Sequence, residues 1–225
     1  MNVMNDRERI QSVLIDSEID IAIKYLFIER YSDQVDEFTE HMIEAFEECR
    51  KLDKLISKDL SGANVSALLY GAFHTHVVAM KLFIMGLLVP AGNSQRYVLE
   101  SIATALLVSK PSLGFLKRYM DGKYSTSKSP RDVLRHKEQL GLESSGLEIL
   151  KREAEFYSKF SHPTLLSSTS LMTLNPAGPK GSVLGGCFDE GKFLIYDKEI
   201  ASRVSLASIF TNIVYGVRRN YCGTA

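Results

Sequence analysis

The chain has 225 residues, of which 45% are hydrophobic and 24% are charged, and its 27 basic side chains balance 27 acidic ones. This composition excludes an intrinsically disordered chain, because such chains are poor in apolar residues and carry a high net charge. The zero net charge excludes a whole-molecule field that would attract nucleic acid or an anionic membrane.

Apolar residues at spacings of three and four predict four long helices in the first half of the chain. The first two are separated at Ser32 and Asp33, either of which can cap the second helix. Ser61-Gly62 breaks the chain, and Asn64 can cap the third helix, which ends at Pro90-Ala91-Gly92-Asn93. Lys110-Pro111 stops the fourth helix, because the residue before proline disfavours the α region. The predicted helices cover about residues 6–30, 32–57, 64–89 and 94–109.

Shorter elements are predicted in the second half of the chain. A short amphipathic piece over 112–120 leads into a polar, serine-rich linker, and Ser129-Pro130 then opens a short basic helix to about Leu140. A further helix starts at Ser144 or Ser145 and runs to about residue 161.

Residues 164–182 show no clear element, which is typical of a functional loop or lid. A β-hairpin is predicted from residues 183–188 and 192–196, followed by a last helix over about 197–219. The predicted fold is therefore all-α: a single domain over residues 1–225, built as a bundle of seven to eight helices with a small β-hairpin insertion before the last helix.

The cysteines and the first residues predict a cytoplasmic protein. Cys49, Cys187 and Cys222 are odd in number and widely spaced, which is typical of reduced thiols rather than of disulfides or a zinc site. Charged residues lie within 1–10, where an export signal would need an apolar stretch.

Residues 65–89 are apolar and long enough to span a bilayer. They include His74, His76 and Lys81, and a lysine at mid-membrane costs about 2.5–3.5 kcal/mol on an insertion scale. We therefore expect the central helix of a soluble bundle and no membrane partner.

Charge is unevenly distributed along the chain. Residues 16–59 carry 13 acidic and 6 basic side chains, whereas residues 117–137 carry 7 basic and 2 acidic ones. The basic segment could steer a polyanion to one edge or pair two surfaces of an oligomer, and the ordinary interpretation is a set of solvated helix faces.

No metal or cofactor is predicted. The paired Glu-x-x-His motifs of di-iron bundles do not occur, and His74 and His76 point to different sides of a helix. The segment Gly178–Ser182 has residue types of an anion-binding nest without the spacing of a P-loop.

The first candidate pair for chemistry lies in the fourth predicted helix. Arg96 and Glu100 are four residues apart on one face, and Ala103 and Leu107 continue the same stripe. Because a charged pair on an apolar stripe must point inward or into a cleft, it predicts either a site or an ion pair that fixes helix register.

The second candidate is His162, which precedes Pro163 at the end of a predicted helix. The helix dipole favours a protonated histidine at that end, and Ser158 lies one turn behind it. The segment can form a site at the mouth of the long loop, or His162 can be an ordinary helix cap.

An Arg-x-x-x-Glu at Arg96–Glu100 after an apolar helix ending in Leu87-Leu88, with a later Tyr-x-x-x-Ser-His at Tyr157–His162, resembles bacterial helical proteins related to abortive-infection and HEPN-like domains. The resemblance covers about residues 65–165. It implies a protein of bacterial stress or phage defence that binds RNA or a nucleotide, with a homodimer as a further expectation.

If the protein is an enzyme, the resemblance implies metal-independent RNA cleavage without a cofactor. His162 would act as general base, Arg96 would hold the scissile phosphate, and Glu100 would orient Arg96. The predicted binding residues are Tyr157, Ser158 and Ser161.

HEPN ribonucleases carry an arginine followed after four to six residues by a histidine. Arg131 and His136 match this motif and form the alternative catalytic pair, while the arginine nearest upstream of His162 is Arg152, ten residues away. The competing hypothesis is a non-catalytic interaction or scaffold protein, in which Arg96, Glu100 and His162 lock helices together.

Overall fold

The computed structural model describes residues 10–11, 18–174 and 181–223. Over these residues the chain forms nine α-helices and no β-strand, which confirms the all-α class and exceeds the seven to eight helices expected. Four short 3-10 turns join them, at residues 111–113, 126–128, 158–160 and 190–192. The helices are α1 (Glu18–Ile56), α2 (Leu60–Ile84), α3 (Leu88–Val108), α4 (Phe115–Met120), α5 (Ser129–Arg135), α6 (Lys137–Leu140), α7 (Ser144–Tyr157), α8 (Leu165–Ser170) and α9 (Phe193–Cys222).

The boundary expected between the first two helices is a kink in α1. Tyr31 has non-helical backbone angles, with φ −124° and ψ 26°. Its ring is buried against Phe27, with the centroids 4.8 Å apart, and its hydroxyl donates to Oδ1 of Asp197 in α9 at 2.6 Å. The bend thus lets the side chain of Tyr31 contact both α1 and α9.

The turns on either side of α2 differ from the prediction. Asp59, not Asn64, caps α2 by accepting a hydrogen bond from the amide of Gly62 at 2.8 Å. Gly62 lies in the first turn of α2. Only glycine fits at this position, because a Cβ there would collide with the backbone carbonyl of Ile56. Gly86, with φ of +71°, follows the end of the helix.

Residues 90–93, expected to be a loop, belong to the first turns of α3. Pro90 is tolerated because the first amides of a helix have no partner within the helix. The helix ends at Val108, just before Lys110-Pro111 as predicted. Most of its residues are buried, so α3 forms the centre of the fold.

Two segments, Leu60–Ile84 and Glu190–Cys222, are long and apolar enough to cross a membrane by length and composition. In this fold each has a buried side, where Leu69 and Phe83 of α2 and Phe210 of α9 lie in the core. The expectation of no membrane partner stays a prediction.

The predicted β-hairpin is wrong. Residues 190–192 form a 3-10 turn, and α9 begins at Phe193, so the apolar run around 192–196 is the start of a helix. A short apolar run fits both structures, and periodicity alone does not separate them. Asp189 favours a helical start here, because it caps the amide of Gly191 at 3.0 Å. It also binds the amide of Leu174 at 2.6 Å.

The long loop expected over 164–182 contains helix α8. Thr164 and Ser167 form a capping box at its N-terminus. An isolated antiparallel bridge joins Met172 and Ser182. Residues 175–180, which include Gly178 of the glycine-rich segment, lie outside the described residues.

The serine-rich linker is anchored at Tyr124 and at the start of α5, while most of its other residues are exposed. Tyr124, Ser129 and Pro130 are all buried. Ser129 is the first helical residue rather than the cap, and its hydroxyl donates to the carbonyl of Glu100 at 2.9 Å. This contact holds α5 against α3.

Candidate anion-binding cleft

Three helices, α3, α5 and α7, surround a cleft of about 350 Å³ that is lined mostly by charged residues and serines. The contact of Ser129 with Glu100 places the start of α5 over α3, and α7 packs beside both. The residues that line the cleft are Arg96, Glu100, Ser127, Lys128, Pro130, Arg131, Lys151, Ala154, Glu155 and Ser158.

Helix α3 supplies an ordered guanidinium to this cleft. Nε of Arg96 donates to Oε1 of Glu100 at 2.7 Å, and the side chains are 24% and 16% exposed. The two terminal nitrogens of Arg96 have no hydrogen-bond partner among the described residues. Glu100 therefore fixes the orientation of Arg96 while the outer edge of the guanidinium stays free for a ligand.

The other cations come from α5 and α7. Lys128 is exposed in the 3-10 turn just before α5, and Arg131, 51% exposed in α5, has its Nε 3.9 Å from Oδ1 of Asp132. Lys151 of α7 lies 3.7 Å from Glu155. Four cationic and two acidic side chains line the cleft, so its local charge is positive although the chain is neutral overall.

Of the predicted site residues, Arg96, Glu100, Arg131 and Ser158 line the cleft. His162 does not line it and lies in an exposed turn, where its carbonyl accepts hydrogen bonds from Oγ of Ser167 and from the amide of Thr164, both at 2.8 Å.

The remaining predicted residues lie away from the cleft lining. Ser161 donates to Oδ1 of Asn93 at 2.7 Å, which ties the turn after α7 to α3. Nδ1 of His136 lies 2.6 Å from Oε1 of Gln139, and its ring packs on Phe115. Arg131 and His136 are thus placed in different surroundings, because α5 ends at Arg135.

Tyr157 belongs to a buried ionic cluster that the sequence analysis missed. Its hydroxyl donates to Oε2 of Glu199 at 2.9 Å and accepts from Arg203 at 3.3 Å. Arg203 binds the same carboxylate oxygen at 2.7 Å. Glu199 and Arg203 are four residues apart among apolar neighbours, the same signal that singled out Arg96 and Glu100.

His76 and Gln95 extend this cluster. Nε2 of His76 donates to the carbonyl of Arg203 at 3.2 Å, and Nδ1 lies 3.1 Å from Oε1 of Gln95. Complete burial, followed by the charge of Arg203, lowers the pKa of His76 to about 4. The ring is therefore neutral at pH 7, and its role is to join α2, α3 and α9.

The cleft has the chemistry of an anion site. Guanidinium and ammonium groups with neighbouring hydroxyls suit phosphate oxygens. The described residues that line it include no histidine, and so no imidazole to serve as a base. Over the described residues, no group of three or more His, Cys, Asp or Glu side chains is placed to hold a metal ion.

No protein-family model matches the sequence. Among curated proteins and among solved structures, none is significantly similar to it. The resemblance to HEPN-like proteins therefore stays a prediction.

Proposed function

We propose that this protein binds phosphate groups of RNA or of a nucleotide in the cleft between α3, α5 and α7. The observation that carries the proposal is the orientation of Arg96 by Glu100 at 2.7 Å, with its terminal nitrogens unpaired beside three further cations. A guanidinium held in this way loses little conformational freedom when it binds a phosphate in a bidentate manner. The proposed setting is the cytoplasm, with a role in bacterial stress or phage defence.

Binding is favoured over cleavage. A general base must lie within hydrogen-bond reach of the proton that it removes, directly or through one water. His162 is exposed in the turn after α7 and does not line the cleft, so RNA cleavage by His162 would require the ligand to extend beyond the cleft. A scaffold function is the second hypothesis, and under it the cleft would have no ligand.

The test uses purified full-length protein and a fluorescein-labelled single-stranded RNA, with binding followed by fluorescence anisotropy and with ATP as competitor. Arg131→Glu should weaken binding at least tenfold. The matched control is Arg135→Glu, on the same short helix with similar exposure, 63% against 51%, but outside the cleft lining. Both variants change the net charge by the same amount, so the comparison distinguishes a phosphate contact in the cleft from a general effect of surface charge on RNA binding.

Two outcomes would overturn the proposal. Equal losses in both variants would mean that the basic surface as a whole, not the cleft, attracts RNA. Absence of binding of both RNA and ATP to the wild-type protein would favour the scaffold hypothesis. A parallel incubation of RNA in chelator, with wild type, His162→Ala and His136→Ala, tests cleavage separately from binding.

A further inference from the structure

A second cavity lies between α3, α7 and α9, on the other side of α7 from the cleft. Its volume is about 650 Å³. Volumes of roughly 300–1,000 Å³ are typical of small-molecule sites. Its walls are mainly apolar and include Leu99, Leu147, Leu150, Leu206, Ile209 and Ile213.

Two deeply buried polar residues also line this cavity. Gln95 is 1% exposed and Tyr157 is completely buried. The hydroxyl of Tyr157 is already bound to Glu199 and Arg203. The amide of Gln95 has one contact, to Nδ1 of His76, and its other polar atom has no partner among the described residues.

The chemistry of His76 determines which atom of Gln95 is left without a partner. Nε2 of His76 faces the carbonyl of Arg203 and must carry the proton, because a carbonyl can only accept. Nδ1 of the neutral ring is therefore an acceptor, and it requires a donor from Gln95. Since the amide nitrogen and oxygen can exchange places by a rotation of the side chain, we assign the nitrogen to Nδ1 and the carbonyl oxygen to the cavity.

We propose that this cavity binds a small, neutral, mainly apolar molecule that has one hydroxyl or amide N–H, which donates to Oε1 of Gln95. The cavity-facing amide atom of Gln95 is not among the buried atoms that lack a partner, so a ligand that displaces water from it must supply a donor in its place. Arg152 at the rim is 3.8 Å from Glu153, and Glu143 is a further acidic residue there, so the lining has no net positive charge that would favour an anionic ligand. The site differs from the phosphate cleft in its residues and in its ligand chemistry.

A small molecule fits the position of Gln95 better than a partner helix does. Gln95 is only 1% exposed, whereas Ile149 and Ile209, which also line the cavity, are 50% and 44% exposed. The backbone groups of a helix laid across the rim would be hydrogen-bonded within that helix, so they could not donate to Gln95.

The probe pair is 2-naphthol and 2-methoxynaphthalene, which share an apolar body, while only the first can donate a hydrogen bond. We expect saturable one-to-one binding of 2-naphthol to the full chain by calorimetry, and binding of 2-methoxynaphthalene about tenfold weaker, as expected for the loss of one buried hydrogen bond. Equal affinity for the two compounds, or no binding of 2-naphthol, would overturn the proposal.

The glycine at position 146 allows the cavity to be filled. Gly146 lines the cavity, and a Cβ there would have no neighbour within 4 Å. Gly146→Phe should lower the affinity for 2-naphthol at least tenfold, and Gly146→Ala, which adds only a methyl group to the cavity, should lower it much less. Ile209→Arg places a charge at the rim from an exposed position and should also lower the affinity, which gives a second readout if the phenylalanine variant unfolds.

Unchanged affinity in both Gly146→Phe and Ile209→Arg would place the probe elsewhere and overturn the proposal. Self-association that competes with 2-naphthol and is lost in Ile209→Arg would identify the cavity as a contact between two copies of the chain, which would also overturn it. Arg131→Glu should not change the affinity for 2-naphthol, so this proposal and the phosphate-binding proposal can fail separately.

Discussion

Arg203 is the largest side chain that is fully buried in the described part of the chain. Its charge is balanced by Glu199, and its guanidinium lies 4.5 Å from the ring centroid of Phe83. The Nε atom has no hydrogen-bond partner within the described segments. Arg203 therefore depends on one carboxylate, and the cost of removing that carboxylate should be large.

Replacement of Glu199 by glutamine should lower the free energy of unfolding by about 3–5 kcal/mol, because it leaves a buried cation unpaired. The double variant Glu199→Gln/Arg203→Met should lose less than the sum of the two single variants. Urea denaturation of the four proteins forms the double-mutant cycle. Strictly additive losses would mean that the two side chains do not stabilise each other.

His76 should make stability depend on pH. Its pKa is about 4 in the folded protein against an ordinary value of 6.5, so between these values the unfolded chain binds a proton that the folded protein does not. Stability contributed by neutral His76 is present above pH 6.5 and is lost as pH falls towards 4, by about 1.4 kcal/mol per pH unit.

The measurement is urea unfolding at pH 7.5, 6.5 and 5.5, a range in which most carboxylates stay ionised. His76→Gln is the comparison, because it removes the titrating ring from the same buried position. The variant should show a shallower fall in stability between pH 6.5 and 5.5 than the wild type. Parallel falls in the two proteins would contradict the assignment to His76.

The residue patterns of the sequence predicted one ionic pair and missed another. Arg96 and Glu100 were found because a charged pair interrupts an apolar stripe, and Glu199 and Arg203 have the same spacing in the last helix. Gln95 gave no signal, because a single glutamine in a helix is usually exposed. The position of His162 relative to the cleft depends on how the turn after α7 packs on α3, which local sequence does not specify.

At the scale of elements, one close contact joins the end of α7 to the start of α3. The ring of Phe160, in the 3-10 turn after α7, packs directly on Gly92 of α3, where an added Cβ would lie 2.5 Å from the ring. The same turn continues to Ser161, which binds Asn93. A glycine early in α3 is tolerated here because the ring of Phe160 occupies the space that a side chain would need.

Gly92→Ala should therefore be destabilising, by about 1–3 kcal/mol from overpacking against Phe160. The matched control is Gly146→Ala in α7, where a Cβ has open space and where alanine should stabilise the helix by up to about 1 kcal/mol. Thermal unfolding of the two variants should thus shift in opposite directions. A stabilised Gly92→Ala protein would show that Phe160 can move away at little cost.

Helix positions were easier to predict than the connections between them. The all-α class and most of the long helices follow from the spacing of apolar residues. The end of α3 before Pro111 follows from backbone sterics. The segment 90–93 was misread because Pro and Gly are turn formers that are also allowed in the first turns of a helix. The hairpin was misread because Asp189, which contacts Gly191 and Lys192 at the start of α9, is buried and binds the distant amide of Leu174, and local sequence does not show this burial or this contact.

At the scale of the whole molecule, zero net charge limits what the protein can bind by electrostatics. The positive cleft is local, so an RNA ligand should make only a few phosphate contacts. For two to four contacts, the logarithm of the RNA association constant should fall with the logarithm of salt concentration with a slope of about −1.4 to −2.8, at about −0.7 per contact.

Anisotropy titrations at three salt concentrations give this slope, and Arg131→Glu should make it shallower. Arg135→Glu, outside the cleft, should leave the slope close to that of the wild type. A slope several times steeper would indicate that the whole basic segment 117–137 contacts RNA, and a slope of zero would exclude phosphate contacts.

Helix α7 is a common wall of the cleft and the cavity. Lys151 and Ser158 face the cleft, while Leu150, Glu153 and Tyr157 face the cavity. If occupancy of one site shifts or rotates this helix, it changes the affinity of the other site as well. Thermodynamic reciprocity then requires that the naphthol change the RNA dissociation constant by the same factor as RNA changes the naphthol dissociation constant.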